Sequence, residues 1–266
     1  MTEASPRDIA RLLRGRPLII MLDIDGTLCD IVERAGDARI PAAAQAALRT
    51  LGARSGAGTH LAFVTGRSVA DARRMLHVDG AVIYGNHGME RLSSSDPADA
   101  PHLSSGVARK PAPELRAAAR ELRSCVAQFP GATLEDKGLS LSLHYRAMDP
   151  AQVPELSARV GKIGRLHGLR MIDGKCVINV LPADAWTKGD AVLDVIRSVE
   201  GVAPDASILF AGDDVTDEDA FRALDGLPGA VTVRIGARDA DSAARYVMPG
   251  PAQVHELLML LADESA

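Results

Sequence analysis

The chain has 266 residues, of which 47% are hydrophobic and only 3% aromatic. That length predicts one large domain and a smaller one, with close-packed cores of small aliphatic side chains. The net charge is −5, and no run of Lys and Arg stands out, which argues against nucleic acid as a partner.

The cysteines and the hydropathy pattern indicate the cellular compartment of the protein. Cys29, Cys125 and Cys176 are widely spaced and include no CxxC pair, so we expect reduced thiols without disulfides or zinc. The first 17 residues lack the apolar core of a signal peptide, and no run of about 18 apolar residues follows. We therefore expect a soluble cytoplasmic protein with no membrane partner.

The first part of the chain alternates predicted strands and helices. Continuous apolar runs predict strands at 17–22, 60–64 and 81–84, and apolar spacings of three and four predict helices at 41–51 and up to Leu76. Strand, helix and strand in succession imply right-handed crossovers and a parallel sheet.

The pattern changes after the third strand. Residues 92–113 are rich in Ser, Asp, Ala and Pro and predict a linker. Helices predicted at 114–129 and 151–167 alternate with two hairpins, the first formed by 132–135 and 139–145. The second hairpin joins LRMID to KCVINVL, and its predicted turn is Asp173-Gly174.

The strand 139–145 alternates apolar and polar side chains, which predicts one buried and one polar face. From residue 183 the parallel pattern resumes, with helices at 188–199, from 217 and at 251–263, and strands at 207–211 and 230–235. The predicted fold class is thus α/β, with a core domain formed by 1–105 and 183–266. An α+β domain, 106–182, is inserted between its two parts.

Two carboxylates follow the first predicted strand, in the string LDIDGTL at residues 22–28. Asp23 and Asp25 would lie at the carboxyl end of a parallel strand, where open α/β sheets bind ligands. Gly26 permits a tight turn there. A bare DxD could equally serve to hydrogen-bond a turn, whereas the full DxDGT string after an aliphatic strand is far more specific.

Two further strings carry groups suited to phosphate. In VTGR, the Thr65 hydroxyl and the amides that follow, up to Arg67, could bind phosphate oxygens, although an N-cap is an alternative. Lys188 in WTKGD lies at a helix start, where a cation is unfavourable, which suggests that it faces an anion. Taken in isolation, the same residue is equally read as a solvated surface lysine.

The string GDDVTDEDAF, residues 212–221, places five carboxylates within seven residues. These carboxylates would repel one another unless a cation or backbone donors compensate. Asp213 and Asp214, at the end of a predicted strand, are the metal candidates. Asp217 and Glu218 also suit the first turn of the next helix.

Together these strings resemble the haloacid dehalogenase (HAD) phosphatases, which implies a Rossmann-like core with an inserted C2B-type cap. Five strings, two of which overlap those above, resemble the trehalose-6-phosphate phosphatases: HGMER, PGATLEDKGLSLSLHYR, GKCVINVLP, TKG and GDDVTDEDAF. The resemblance extends from about residue 17 to 250. It implies a hydrolase of trehalose biosynthesis that releases trehalose and phosphate through an aspartyl-phosphate.

The resemblance assigns roles to the core residues. Asp23 is the nucleophile, and Asp25 is the general acid and then the general base. Crowding of the aspartates is expected to raise one carboxyl pKa. Mg²⁺ is held by Asp23, the carbonyl of Asp25 and Asp213, with Asp214 and Asp217 supporting it. Thr65 and Lys188 stabilise the phosphoryl oxygens.

The resemblance further implies that polar residues of the cap and its surroundings bind the substrate. The substrate-binding candidates are Gly26, Arg67, His87, Glu135, Lys137, His144, Arg146, Lys175 and Asn179. The family usually carries a Glu and a Lys on the last cap strand, where this chain has Asn179 and Leu181.

Three hypotheses follow. The first is a trehalose-6-phosphate phosphatase, and the second a phosphatase of another glycosyl phosphate, such as sucrose phosphate, mannosyl- or glucosyl-phosphoglycerate, or glucosylglycerol phosphate. The third is a non-catalytic domain that binds a sugar phosphate or a synthase. We expect a monomer or a weak homo-oligomer.

Overall fold

The computed structural model describes residues 1–32, 35–93, 96, 102–104, 113–199 and 205–263. The chain divides into two compact units. The core unit comprises Met1–Ser104 and Trp186–Ala266, and the inserted unit comprises Ser105–Ala185. Among the described residues, none of the helices combines the length and the apolar character that crossing a bilayer demands.

The core unit contains nine strands and six helices within its described ranges. The strands are β1 (Thr2–Glu3), β2 (Leu18–Leu22), β3 (Thr59–Val64), β4 (Val82–Gly85), β5 (Glu90–Leu92), β6 (His102–Leu103), β11 (Ser207–Gly212), β12 (Ala230–Ile235) and β13 (Tyr246–Met248). The helices are α1 (Pro6–Leu12), α2 (Ala42–Ala53), α3 (Val69–Leu76), α6 (Lys188–Ser198), α7 (Asp217–Leu224) and α8 (Pro251–Asp263).

The nine strands form one sheet in the order β1-β13-β12-β11-β2-β3-β4-β5-β6. Neighbours from β1 to β4 are parallel, and β5 and β6 add an antiparallel edge. The predicted parallel sheet is confirmed. Because β2 lies between β11 and β3, the residues that follow these three strands emerge side by side at one sheet edge.

Both faces of the sheet are covered by helices. Alternate residues of β2 belong to two apolar clusters: Leu18, Ile20 and Leu22 pack with α2, α3 and α8. Ile19 and Met21 pack with α6 and α7. All five residues of β2 are buried, which explains why the strand reads as a continuous apolar run.

The inserted unit has the predicted α-β-β-α-β-β order. Its elements are α4 (Pro113–Val126), β7 (Thr133–Asp136), β8 (Leu141–His144), α5 (Val153–Leu166), β9 (Leu169–Gly174) and β10 (Val177–Pro182). The strands form an antiparallel sheet in the order β7-β8-β10-β9. Leu141, Leu143, Ile178 and Val180 pack with α4 and α5, so the helices cover one face of this sheet.

The predicted turn of the second hairpin was wrong. Val177 pairs with Gly174, so Asp173 and Gly174 still belong to β9 and the connection is Lys175-Cys176. Cys176 adopts a φ of 62°, the left-handed conformation that a tight connection demands. The register of the sheet outweighed the local preference for a turn at Asp-Gly.

The linker prediction was wrong for parts of the segment. Leu92 completes β5, and His102–Leu103 forms β6, so parts of 92–113 belong to the core sheet. The rest of the segment lies largely outside the described residues. The sequence patterns also missed α1 and the short strands β1 and β13.

Candidate active site

Asp23 is the first residue after the central strand β2. Its backbone amide donates to the carbonyl of Ala211 in β11 at 3.0 Å, which continues the parallel pairing past the end of β2. Its side chain is almost fully buried, with 6% exposed. The buried strand thus fixes this carboxylate at the sheet edge.

Lys188 joins two carboxylates. Its Nζ donates to Asp23 Oδ1 at 2.7 Å and to Asp217 Oδ1 at 2.8 Å, and its side chain is 3% exposed. Lys188 is the first residue of α6. Its contacts with two carboxylates confirm the prediction that it faces an anion. Asp190, three residues after the N-cap Thr187, forms a capping box and supplies the negative charge that favours this helix end.

Asp213 and Asp217 complete a cluster of three aspartates with Asp23. One carboxylate oxygen from each lies within 4.8 Å of the others, and all three side chains are buried. Asp217 Oδ2 accepts from the backbone amides of Asp213 at 3.0 Å and Asp214 at 2.9 Å. The side chain of Asp214, a predicted ligand, is partly exposed and is not a member of this cluster.

The cluster carries more negative than positive charge. Of its three buried carboxylates, those of Asp23 and Asp217 pair with Lys188, which supplies a single positive charge. Burial raises the pKa of Asp23 well above its usual value, and repulsion from Asp217 and Asp213 adds to this effect against the opposing attraction of Lys188. Carboxylate oxygens are the ligands that Mg²⁺ prefers, so this donor set fits a divalent cation.

Gly26 brings the loop after β2 against Asp213. A Cβ atom built on Gly26 would lie 2.0 Å from Asp213 Oδ2, and Gly26 has a φ of +80°. Only glycine satisfies both demands. The glycine of the DxDGT string therefore allows the backbone beside Asp25 to approach the second acidic motif.

Asp25 is paired with Arg67 in a two-pronged contact. Arg67 Nε and Nη2 donate to Asp25 Oδ2 and Oδ1, each at 2.6 Å, and Arg67 Nη1 donates to Asp71 Oδ2 at 2.6 Å. The Arg67 side chain is 7% exposed, whereas that of Asp25 is 40% exposed. Arg67, predicted to bind substrate, thus holds the predicted acid/base residue.

Thr65 and His87 lie together beside the VTGR loop. The Thr65 hydroxyl accepts from the Arg67 amide at 3.2 Å, and the Thr65 carbonyl accepts from the His87 amide at 3.0 Å. A Cβ on Gly66 would lie 2.8 Å from His87 Cε1, so the His87 ring packs directly on this loop. Both side chains are buried, which gives the loop a fixed conformation.

The polar candidates of the inserted unit lie partly on one sheet face. Glu135, Ser142 and Asn179 pair across β7, β8 and β10, and strand alternation places them opposite the face that α4 and α5 cover. Ser142 Oγ donates to Asn179 Oδ1 at 2.8 Å, and both side chains are buried. This face is polar, as predicted, but parts of it are buried.

The remaining candidates of this unit form two groups of contacts. Glu135 Oε2 is 3.0 Å from His144 Nε2 and 3.7 Å from Lys137 Nζ. Arg146 Nη2 donates to the carbonyl of Lys175 at 3.1 Å. Leu181, where the family usually has a Lys, is fully buried.

The sequence patterns did not indicate Asp71 as a site residue, and they indicated only a supporting role for Asp217. Asp71 shares Arg67 with Asp25 and sits in the first turn of α3. Asp217 was predicted only to support the metal ligands, but its carboxylate is one of the two that accept from Lys188. For both, a position in a helix's first turn was a signal that also has a purely structural explanation.

Comparison with known proteins gives consistent results along nearly the whole chain. The sequence model of the family described as Trehalose-phosphatase matches residues 21–249. A trehalose-phosphate phosphatase of Mycobacterium tuberculosis is 35% identical over 256 residues, covering 95% of this chain and 63% of that protein. A protein of the same organism described as an uncharacterized glycosyl hydrolase is 36% identical over 259 residues, covering 96% of this chain and 19% of that protein.

A solved structure shares the fold. The C-terminal domain of trehalose-6-phosphate phosphatase from C. albicans matches with a TM-score of 0.83 and 20% identity, covering 98% of both chains. That likeness shows a shared fold, in which the parallel sheet carries its aspartates at one edge. The family model and the relative at 35% identity show that the chain belongs to the trehalose-phosphatase family, and with it to the haloacid dehalogenase superfamily. The chain spans less than two thirds of the length of the curated relatives named above.

Proposed function

We propose that this chain is a Mg²⁺-dependent phosphatase that hydrolyses trehalose 6-phosphate through an aspartyl-phosphate on Asp23. The observation that carries the proposal is the buried contact of Lys188 with Asp23 beside Asp213, at the carboxyl edge of the parallel sheet. Family membership supports the choice of reaction.

In the first step, an oxygen of the Asp23 carboxylate forms a bond to phosphorus while the bond from phosphorus to the sugar oxygen breaks. Asp25 donates a proton to the leaving oxygen. In the second step, water attacks the phosphorus, the bond to Asp23 breaks and Asp25 takes the proton. The balance is sugar phosphate plus water giving sugar plus phosphate.

Mg²⁺, when bound, would offset the charge of the phosphate and of the nucleophile. Asp23, Asp213 and the Asp25 carbonyl would hold it, with Asp214 in support. Asp217, whose oxygens accept from Lys188 and from two backbone amides, would position its neighbours instead. Lys188 and Thr65 would stabilise the phosphoryl oxygens.

The inserted unit, as a C2B-type cap, would supply recognition of the sugar. Glu135, Lys137, His144, Arg146, Lys175 and Asn179 remain the proposed polar contacts, with Gly26, Arg67 and His87 contributed by the core unit. The enzyme would act on a small sugar phosphate in the cytoplasm, as a monomer or weak homo-oligomer.

Asn179 supports a second candidate, a related glycosyl phosphate as substrate. The Asn179 amide is already paired with Ser142, and Leu181 offers no charge where the family usually has a Lys. A neutral amide gives a weaker hydrogen bond to a sugar hydroxyl than a carboxylate does.

The test is phosphate release from purified protein with and without Mg²⁺, for a panel of sugar phosphates. We expect trehalose 6-phosphate to give the highest kcat/KM, with sucrose phosphate and glucosylglycerol phosphate as comparisons. Asp23→Asn should reduce the rate by at least about a thousandfold, because the amide cannot attack phosphorus. Full activity of Asp23→Asn would refute the covalent route, and a low rank for trehalose 6-phosphate would favour the second candidate.

A further inference from the structure

A second cavity of the core unit opens next to the Asp25–Arg67 pair. It lies between α2, α3 and the chain that leads into α2, and it has a volume of about 560 Å³. That volume is within the usual range of small-molecule sites, roughly 300–1,000 Å³. Apart from Arg67 and Asp71, which holds Arg67, its lining residues have no part in the proposed reaction.

The lining of this cavity is strongly basic. Arg39, Arg49, Arg67, Arg74 and His77 line it, and Asp71 is the one acidic residue among its described lining. The protein as a whole has a net charge of −5, so this concentration of guanidinium groups departs from the average surface. A concave surface lined by charges of one sign concentrates ions of the opposite sign.

The arginines differ in how far their charge is compensated. Arg67 and Arg74 both contact Asp71, and Arg67 also contacts Asp25. Arg39 Nη1 donates to the carbonyls of Gly36 and Ala38, at 2.6 and 2.7 Å, and no carboxylate among the described residues pairs with it. Arg49 is exposed and forms no ion pair within the described part of the chain.

We infer that this basic cavity is a second, non-catalytic binding site for a phosphate group. The planar fork of an arginine matches the oxygens of a phosphate, and two uncompensated arginines facing one cavity favour a dianion. The ligand is inorganic phosphate or the phosphate of a small ester, bound chiefly by Arg39 and Arg49.

The site would be coupled to the reaction through Arg67, which lines the cavity and also holds Asp25. A bound phosphate would compete with Asp25 for the Arg67 guanidinium. This consequence rests on the proposed function, whereas the binding itself does not.

The test counts phosphate sites by isothermal titration calorimetry on the whole chain. Inorganic phosphate is titrated into the native protein, into the double variant Arg39→Gln/Arg49→Gln and into the control Arg7→Gln/Arg73→Gln. The control removes the same charge from exposed arginines outside the cavity. We expect the native protein and the control to bind phosphate alike, and the double variant to bind it at one of their sites at least about tenfold more weakly.

No phosphate binding by the native protein, or binding by the double variant that equals that of the native protein in number of sites and affinity, would overturn the inference. A second titration with glucose 6-phosphate distinguishes the sources, because tighter binding of the ester identifies a phosphorylated metabolite as the ligand. These measurements need no turnover, so they can succeed even if the proposed reaction fails. In an active enzyme, the double variant should keep the basal rate and lose any noncompetitive part of the phosphate inhibition.

Discussion

Arg67 donates hydrogen bonds to both oxygens of the Asp25 carboxylate, from Nε and Nη2, each at 2.6 Å. Because Arg67 is also fixed by Asp71 and is nearly buried, the pair defines where the Asp25 side chain rests. An arginine fork imposes a plane on a carboxylate, which a lysine cannot do. The arrangement makes Arg67 a positioning residue for the proposed general acid.

Arg67→Lys should therefore affect substrates according to their leaving group. We expect kcat/KM for trehalose 6-phosphate to fall about tenfold or more, because a sugar alkoxide leaves only with a proton. The leaving group of p-nitrophenyl phosphate departs without a proton, so kcat/KM for this substrate should change by less than about threefold. Arg74→Lys, on the same Asp71 but with a side chain 77% exposed, is the control. Equal losses for both substrates would show that Arg67 binds the phosphate instead.

Asp213 and Asp214 should differ in their effect on metal dependence. The Asp213 carboxylate belongs to the buried cluster, whereas Asp214 contributes its backbone amide to Asp217. We expect Asp213→Asn to raise the Mg²⁺ concentration for half-maximal activity by more than about a hundredfold, and Asp214→Asn by about tenfold or less. The measurement is phosphate release against Mg²⁺, after removal of bound metal with EDTA. An equal loss in both variants would identify Asp214 as a ligand.

Asp217→Asn should lower the stability of the folded chain. The variant removes one of the two carboxylates that compensate the buried Lys188, and breaking such a pair costs about 3 kcal/mol. The measurement is the difference between the free energies of unfolding of the variant and the native protein, determined by urea denaturation. Asp219→Asn on the same helix is the control, because Asp219 is 36% exposed and its contact with Arg222 is 3.5 Å long. That change should cost less than about 1 kcal/mol. Similar losses in both variants would contradict the buried pairing.

Gly26→Ala should disrupt the site more than the same substitution does at a glycine whose only special feature is a positive φ. The new methyl group would meet the Asp213 carboxylate, in addition to the strain of a positive φ. Gly56→Ala is a matched control, since Gly56 has a φ of +88° and no atom within 4 Å of the added Cβ. The control should lose about 1 kcal/mol of stability and keep its activity. Gly26→Ala should lose at least about a hundredfold in activity, and activity equal to that of Gly56→Ala would contradict the close approach.

The cysteines should react unequally with a thiol reagent such as DTNB. Cys176 is exposed in the connection after β9, whereas Cys29 and Cys125 are buried. Burial raises the pKa of Cys29 to about 12 and also raises that of Cys125 above its usual value. We expect one fast thiol in the native protein and three in urea, with none fast in Cys176→Ser. Two or more fast thiols in the native protein would show that a buried cysteine is accessible.

The patterns of the sequence predicted the larger elements because each carries its own local signal. The apolar run at 17–22 became β2, and the strand at 230–235 and the helix at 251–263 have the predicted bounds. Short elements such as β1 and β13 were missed, because two or three residues carry too little periodicity and depend on pairing with distant strands.

The sequence by itself determined the parallel core, the inserted antiparallel sheet and the motifs around Asp23, Thr65, Lys188 and Asp213, since these follow from local periodicity and residue type. Only the tertiary structure decided which carboxylates share a partner. Arg67 and Asp25 are 42 residues apart, and Lys188 and Asp23 are 165 apart. Such pairs depend on which strands are neighbours in the sheet and on which opposite charge lies beside each buried charge. A local sequence pattern determines neither of these.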